Sequence, residues 1–134
     1  MGDRFSHRLR VRYGECDPQG VVFNAHYLAY FDIAMTELWR ELGGYEAMVD
    51  GGVDMVVAEA RVRYLAPLRF DDEAELVVRA ISLGTTSITT ELAIERGGER
   101  VAEGELRHVF VDPSRGEAAP IPEPVRAGLA RYSG

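Results

Sequence analysis

The sequence predicts an α+β fold in which one long early helix is followed by a run of antiparallel strands. Two observations carry this. From Asn24 to Leu42 apolar residues recur at helical spacing, with Tyr27, Phe31, Ala34, Leu38 and Leu42 on one stripe and Leu28, Met35 and Trp39 on the next. From Val53 to Val111 the pattern changes to alternating segments separated by Gly, Pro and Asp turns. A chain of 134 residues with 46% hydrophobic content is expected to form a single domain, 1–134, with its own core.

Taken in order, His7 to Tyr13 alternates, placing Leu9, Val11 and Tyr13 on one face of a half-buried strand. Asp17-Pro18-Gln19-Gly20 has the residues favoured in a type I turn. Asn24 can cap the helix that begins at Ala25, and Gly43-Gly44 can end it in a left-handed cap. Asp32, Thr36 and Arg40 form its main polar line, with Glu37 and Glu41 near its end. A helix so apolar around its circumference is expected to be buried. Its roughly nineteen residues span about 28 Å, but its charges argue against lipid. A curved sheet of about five strands wrapped around it is the simplest enclosure. Gly51-Gly52 breaks the chain before a strand from Val53 to Leu65, with Ala60, Val62 and Tyr64 on one side and Glu59, Arg61 and Arg63 on the other. A turn-rich connection through Pro67 leads to strand Glu73 to Leu83, with Leu76, Val78 and Ala80 opposite Glu75, Val77 and Arg79. Ser87 to Arg96 and Glu99 to Val111 follow, joined by a Gly97-Gly98 hairpin turn. Asp112 to Gly116 ends the sheet, and Val125 to Tyr132 reads as a short terminal helix. Such a single sheet leaves long edges, so a dimer or larger assembly is expected.

The formal charge of −7 disfavours a duplex nucleic-acid partner, which needs a basic face. Every basic residue apart from the three His is Arg, read as a compositional bias. One cysteine allows no internal disulfide, and residues 1–10 lack an apolar run, so a cytoplasmic location is expected. No His or Cys spacing resembles a zinc site and no phosphate-binding glycine loop is present, so neither metal nor cofactor is expected.

The segment Asp17-Pro18-Gln19-Gly20-Val21-Val22-Phe23-Asn24-Ala25-His26-Tyr27-Leu28, followed by the apolar helix, resembles the signature of the 4-hydroxybenzoyl-CoA thioesterase-like branch of the hotdog fold. The resemblance continues through Val62 to Asp72 and into the Ile-Pro-Glu-Pro-Val-Arg tail. It implies a hotdog-fold acyl-CoA thioesterase that hydrolyses an acyl or aryl thioester to free acid and CoA. It also implies a homodimer, extended to a dimer of dimers (a homotetramer).

Two readings of Asp17 stand side by side. As the first residue of its turn it needs no further role. As a carboxylate ahead of a buried helix N-terminus it lies beside free N–H groups and a positive dipole end, which suit a developing oxyanion. The resemblance implies that Asp17 is the catalytic carboxylate, acting as nucleophile or general base, and that the backbone N–H of Asn24, with Phe23 beside it, meets the thioester oxygen. Gly20, Val21, Val22, His26 and Tyr27 are the candidate substrate contacts around it. His26 reads first as a packing or interface residue, with a second acid/base group as the alternative. Cys16 adjoins Asp17 but points to the other side of an extended segment, and reads as structural. Glu59, on the strand after the helix, reads as a solvated strand residue; the resemblance makes it also a candidate acid, supplied by the partner subunit near the thioester. Arg61, Arg63 and Arg69 are candidate partners for the CoA phosphates or plain surface charge. Rival readings are a hotdog hydratase or dehydratase, which would use an Asp/His pair further along the helix, and a non-catalytic acyl-CoA-binding module.

Overall fold

A computed structural model of the chain describes residues 3–44 and 51–133. Strand β1 (Phe5–Arg10) leads through a 3-10 turn (Tyr13–Glu15) to helix α1 (Ala25–Glu41). Strands β2 (Asp54–Tyr64), β3 (Glu73–Leu83), β4 (Ser87–Arg96) and β5 (Glu99–Asp112) follow. A two-residue strand β6 (Glu117–Ala118) and helix α2 (Glu123–Leu129), continued by a 3-10 turn at Ala130–Tyr132, complete the order. The strands form one antiparallel sheet in the order β1-β3-β4-β5-β2, with β6 pairing the end of β5. The sheet therefore does not end at Asp112, as the turn residues there had implied.

Helix α1 packs on one face of this sheet. It buries Tyr27, Tyr30, Phe31, Ala34, Met35, Leu38 and Trp39. Facing them are Leu76, Val78 and Ile81 of β3, Leu92 and Ile94 of β4, and Ala102, Leu106 and Phe110 of β5. The packing is especially tight at Gly104 of β5. A Cβ there would lie 2.4 Å from Cε2 of Phe31 and 2.5 Å from the Arg61 backbone oxygen. Only glycine lets the Phe31 ring and the β2 backbone share that space. Helix α1 ends in the left-handed cap expected from Gly43-Gly44: Gly44 N–H donates to the Trp39 carbonyl (2.8 Å), and Gly43 has φ +107°.

Three expectations are corrected. The helix is not enclosed all round within the chain: Ala25, Leu28, Ala29, Asp32, Thr36 and Arg40 form an exposed stripe, and Leu28 is 41% accessible. Strand β1 stops at Arg10, because the chain turns through an Arg12 carbonyl–Glu15 N–H bond (3.0 Å). Tyr13, expected to face inward, is 80% exposed and meets Phe70 edge-on at 5.8 Å. In β3 a bulge between Val78 and Ala80 reverses the alternation, so Ala80 pairs with Glu91 and it is Ile81, opposite Thr90, that enters the core.

The Gly97-Gly98 hairpin is as expected, with φ +58° and +84°. A second bulge, between Val57 and Glu59, lies in the edge strand β2. Val56 and Val57 beside it are 50% and 54% exposed. Among the described residues, no helix is long and apolar enough to cross a membrane.

Gly104→Ala is expected to lower the unfolding free energy by roughly 2–3 kcal/mol, because the obstructing Arg61 oxygen is backbone and cannot rotate away. Urea denaturation checks this: the midpoint falls while the slope is unchanged.

Candidate active site

The segment between β1 and α1 is a small hairpin laid against the helix start. Cys16 bridges Val22, and Asp17 N–H donates to the Val21 carbonyl (2.9 Å). Gly20, at φ +81°, closes the turn by donating to the Asp17 carbonyl at 2.9 Å. The Asp17 Oδ1 accepts the Gln19 N–H at 2.8 Å, which orients the half-buried carboxylate. The hairpin is anchored on its far side. Val21 bridges Arg69, and Val22 N–H donates to the Leu68 carbonyl (2.8 Å).

Three further bonds, all to Glu15, close the segment on itself and tie it to the helix. Phe23 N–H donates to the Glu15 carbonyl at 2.9 Å. The Glu15 Oε1 accepts both the Arg12 N–H (2.8 Å) and the Tyr30 hydroxyl (2.7 Å). Tyr30 is 1% exposed; burial first, then the Glu15 carboxylate, raises its pKa above the ordinary phenol value.

At the helix start, Asn24 occupies the N-cap position but its side chain makes no capping bond, contrary to the cap expected from sequence. Its φ and ψ of −55° and −34° are already helical, which turns the side chain away from the first-turn N–H groups. No described residue accepts the Asn24 N–H, which leaves it open to an external acceptor. The Asn24 carbonyl accepts the Tyr64 hydroxyl at 3.0 Å and the Tyr27 N–H at 3.2 Å. The Tyr27 ring stands edge-on to Tyr64 at 4.9 Å, and its hydroxyl accepts the Leu68 N–H at 3.3 Å. Burial raises the Tyr27 pKa, and the Leu68 bond partly opposes this. His26 is half-buried against Phe23, with ring centres 6.3 Å apart.

The structure thus gathers Asp17, Gly20, Val21, Val22, Phe23, Asn24, His26 and Tyr27 in one hairpin–helix unit. It does not bring Glu59, Arg61 and Arg63 to it. Those three point to the sheet face opposite α1, since Ala60, Val62 and Tyr64 take the helix side. Arg61 pairs with Glu105 and Arg63 with Glu103, around an open depression of about 250 Å³ on that face. Cys16 is partly buried, with Sγ 3.8 Å from the Arg12 carbonyl oxygen.

Sequence reasoning missed Glu15, and it missed the contacts that Tyr30 and Tyr64 make. The only signal for Tyr64 was its place on the helix side of β2. The Glu15–Tyr30 contact spans fifteen residues and carries no local signature. Also missed was His108, on β5 between Ile88 and Val57. It forms part of a cavity of about 310 Å³ with Asp32, Trp39 and Met55, and is 4% exposed. Its Nδ1 has no hydrogen-bond partner among the described residues, and neither has the Thr90 hydroxyl. Among the same residues, no group of His, Cys, Asp and Glu is arranged to hold a metal ion.

The sequence profile of the thioesterase-like superfamily matches residues 11–129. The chain belongs to the thioesterase-like superfamily. It is 31% identical over 121 residues to the acyl-CoA thioester hydrolase YbgC of Escherichia coli O157:H7, covering 89% of this chain and 90% of that one. It is 27% identical over 122 residues to a 1,4-dihydroxy-2-naphthoyl-CoA hydrolase of Thermosynechococcus vestitus, covering 89% and 84%. The solved structure of the gentisyl-coenzyme A thioesterase BH1999 superposes with a TM-score of 0.84 at 27% identity, covering 93% and 99%. The fold is that of the hotdog thioesterases, and this member of the superfamily is an enzyme, a thioester hydrolase. At family level the activity is hydrolysis of acyl-CoA thioesters.

Burial lowers the His108 pKa below 6.5, with Asp32 partly opposing. Below about pH 6.5 the unfolded chain therefore binds a proton that the folded thioesterase does not. This component of stability is expected to be present above that pH and to decline as pH falls through the window beneath it, by at most about 1.4 kcal/mol per unit. Urea unfolding of the wild type and His108→Leu between pH 7.5 and 5.5 checks this: the variant's stability is expected to fall less over the window.

Proposed function

We propose that the chain is an acyl-CoA thioesterase in which Asp17 supplies the nucleophile or the general base and the N-terminus of α1 holds the oxyanion. One observation carries this reading: the Asn24 N–H, three residues past the Val21 that pairs with Asp17, has no acceptor among the described residues. An open N–H at the positive end of a seventeen-residue helix suits a developing negative oxygen. In the general-base route Asp17 takes a proton from water as the hydroxide attacks the thioester carbon. The C–S bond then breaks, and the thiolate leaves as CoA after protonation. In the nucleophilic route a carboxylate oxygen attacks, CoA leaves, and water hydrolyses the mixed anhydride.

Gly20, Val21 and Val22 supply backbone around the thioester, while His26 and Tyr27 frame it. Helix α1 serves as the central element, covered by its own sheet on one side. For the CoA phosphates, Arg69 is favoured over Arg61 and Arg63. It bridges the Asp17 hairpin and its guanidinium has no carboxylate partner among the described residues, whereas the other two are paired with Glu105 and Glu103. Glu59 lies on the same outer face, away from the Asp17 hairpin, and is set aside on that ground. The relatives named for 1,4-dihydroxy-2-naphthoyl-CoA and gentisyl-CoA place aryl thioesters first on a substrate panel.

The assembly is a homodimer, extended to a dimer of dimers, in the cytoplasm, with one domain over 1–134 and no metal or redox cofactor. Its support is the open edge of β2, with Val56 and Val57 exposed, and the apolar rim of Phe23, Leu28, Tyr64 and Leu65 around the site. Sedimentation at micromolar concentration is expected to give a dimer or larger species; a stable, active monomer would overturn this.

Asp17→Asn tests the chemistry. Asn serves the same turn position, so melting temperature and KM are expected to change little. The value of kcat is expected to fall at least about a hundredfold on the best acyl-CoA found. Near wild-type turnover in a well-folded variant would remove Asp17 from the mechanism and favour the reading of Asp17 as a turn-former.

A further inference from the structure

We infer that Tyr30, acting through Glu15, is a positioning residue that fixes the Asp17 hairpin relative to the oxyanion donors of α1. The inference rests on the catalytic reading of Asp17 proposed above.

Glu15 is the point where the two halves of the site meet. Its side chain is bound from the helix by the Tyr30 hydroxyl at 2.7 Å and from its own turn by the Arg12 N–H at 2.8 Å. Its carbonyl accepts the N–H of Phe23, the residue before Asn24, at 2.9 Å. Glu15 thus lies two residues before the carboxylate and one hydrogen bond from the segment that carries the open N–H. Tyr30 itself is fixed: it is 1% exposed, within the core, 6.2 Å from the Tyr27 ring. A carboxylate acceptor makes this the strong kind of hydrogen bond, and its Tyr30 donor is buried while Glu15 is half-buried. Without it the hairpin keeps its backbone rungs and its packing but loses its only side-chain hydrogen bond to the helix among the described residues. The carboxylate is then free to shift against the oxyanion site, and shifts of about 1 Å are costly to rate.

The test is kcat and KM for Tyr30→Phe, alone and combined with Asp17→Asn, with Glu15→Gln and Glu15→Leu alongside. Tyr30→Phe keeps the ring in the core and removes only the hydroxyl. Its kcat is expected to fall about tenfold with KM nearly unchanged. In the Asp17→Asn background the same change is expected to have almost no further effect, because a residue that acts through Asp17 has nothing left to position. A purely structural residue would lower the rate by the same factor in both backgrounds. Glu15→Gln keeps an oxygen able to accept both bonds and is expected to lose less kcat than Glu15→Leu.

Wild-type kcat in Tyr30→Phe, or an equal loss in both backgrounds, would overturn the positioning role while leaving Asp17 in place. Full turnover in Asp17→Asn would overturn the catalytic reading and this inference with it.

Discussion

The seating of α1 on the sheet is the constraint from which the site follows. Phe31 lies on β5 only because Gly104 has no side chain, and it enters one apolar cluster with Ala34, Leu38 and the facing strands. A helix held at that contact cannot rotate without displacing the ring into the β2 backbone. Its first turn is therefore delivered to a fixed place beside the end of β2. There Tyr64 reaches the Asn24 carbonyl, and Tyr27 fills the space between the helix and the Leu68 backbone. Burial of the middle of the helix sets the position of its N-terminus, where the chemistry is proposed.

The Asp17 hairpin is held by polar contacts rather than by burial. Its own residues are half-exposed or exposed, save Val22. What fixes it is a ring of backbone bonds to Leu68, to the Glu15 carbonyl and within the turn, completed by the Tyr30–Glu15 pair. This division leaves Asp17 oriented by its turn and half-buried, which suits the role proposed for it, since a fully buried, unpaired carboxylate would be driven toward its neutral form.

Much of this was legible in the sequence for a simple reason: the signals involved are local. The alternation of Ser87 to Arg96, the Gly97-Gly98 turn, the Gly43-Gly44 cap and the Asp17–Gly20 turn each depend on residues within a few positions of one another. The β3 bulge was not legible, because Val78 to Ile81 is apolar on both sides of Arg79 and either register buries hydrophobic residues. The inward placing of Tyr13 failed because its alternation extends past Arg10, where a 3-10 turn, secured by Glu15, takes over. Asn24 has the right identity for a side-chain cap, yet its backbone is already helical. The Glu15–Tyr30 pair and His108 are products of tertiary packing alone, and no spacing rule points to them.

The charges show the same difference between composition and arrangement. In the sequence Glu59, Arg61 and Arg63 stood open between a place at the site and plain strand-face charge. In the sheet they occupy the outer face, where Arg61 and Arg63 find carboxylates directly across on β5. Exposed cross-strand pairs of this kind each contribute only tenths of a kcal/mol, about 0.2–1. What sets these arginines apart from the site is their position, on the sheet face opposite α1 and the Asp17 hairpin. Arg69 is different: its backbone is fixed by the bridge to Val21, and its side chain is left without a carboxylate partner among the described residues. The helix face that stays open points the same way. Ala25, Leu28 and Ala29 lie exposed beside the hairpin, and Val56 and Val57 lie on the unpaired edge of β2. The outer sheet face is covered with paired charges, whereas bare apolar surface runs along the open side of α1 from Ala25 and Leu28 at its start to Val57 on β2, which lines a cavity with Asp32 and Trp39; that strip is the ground for the proposed partner subunit.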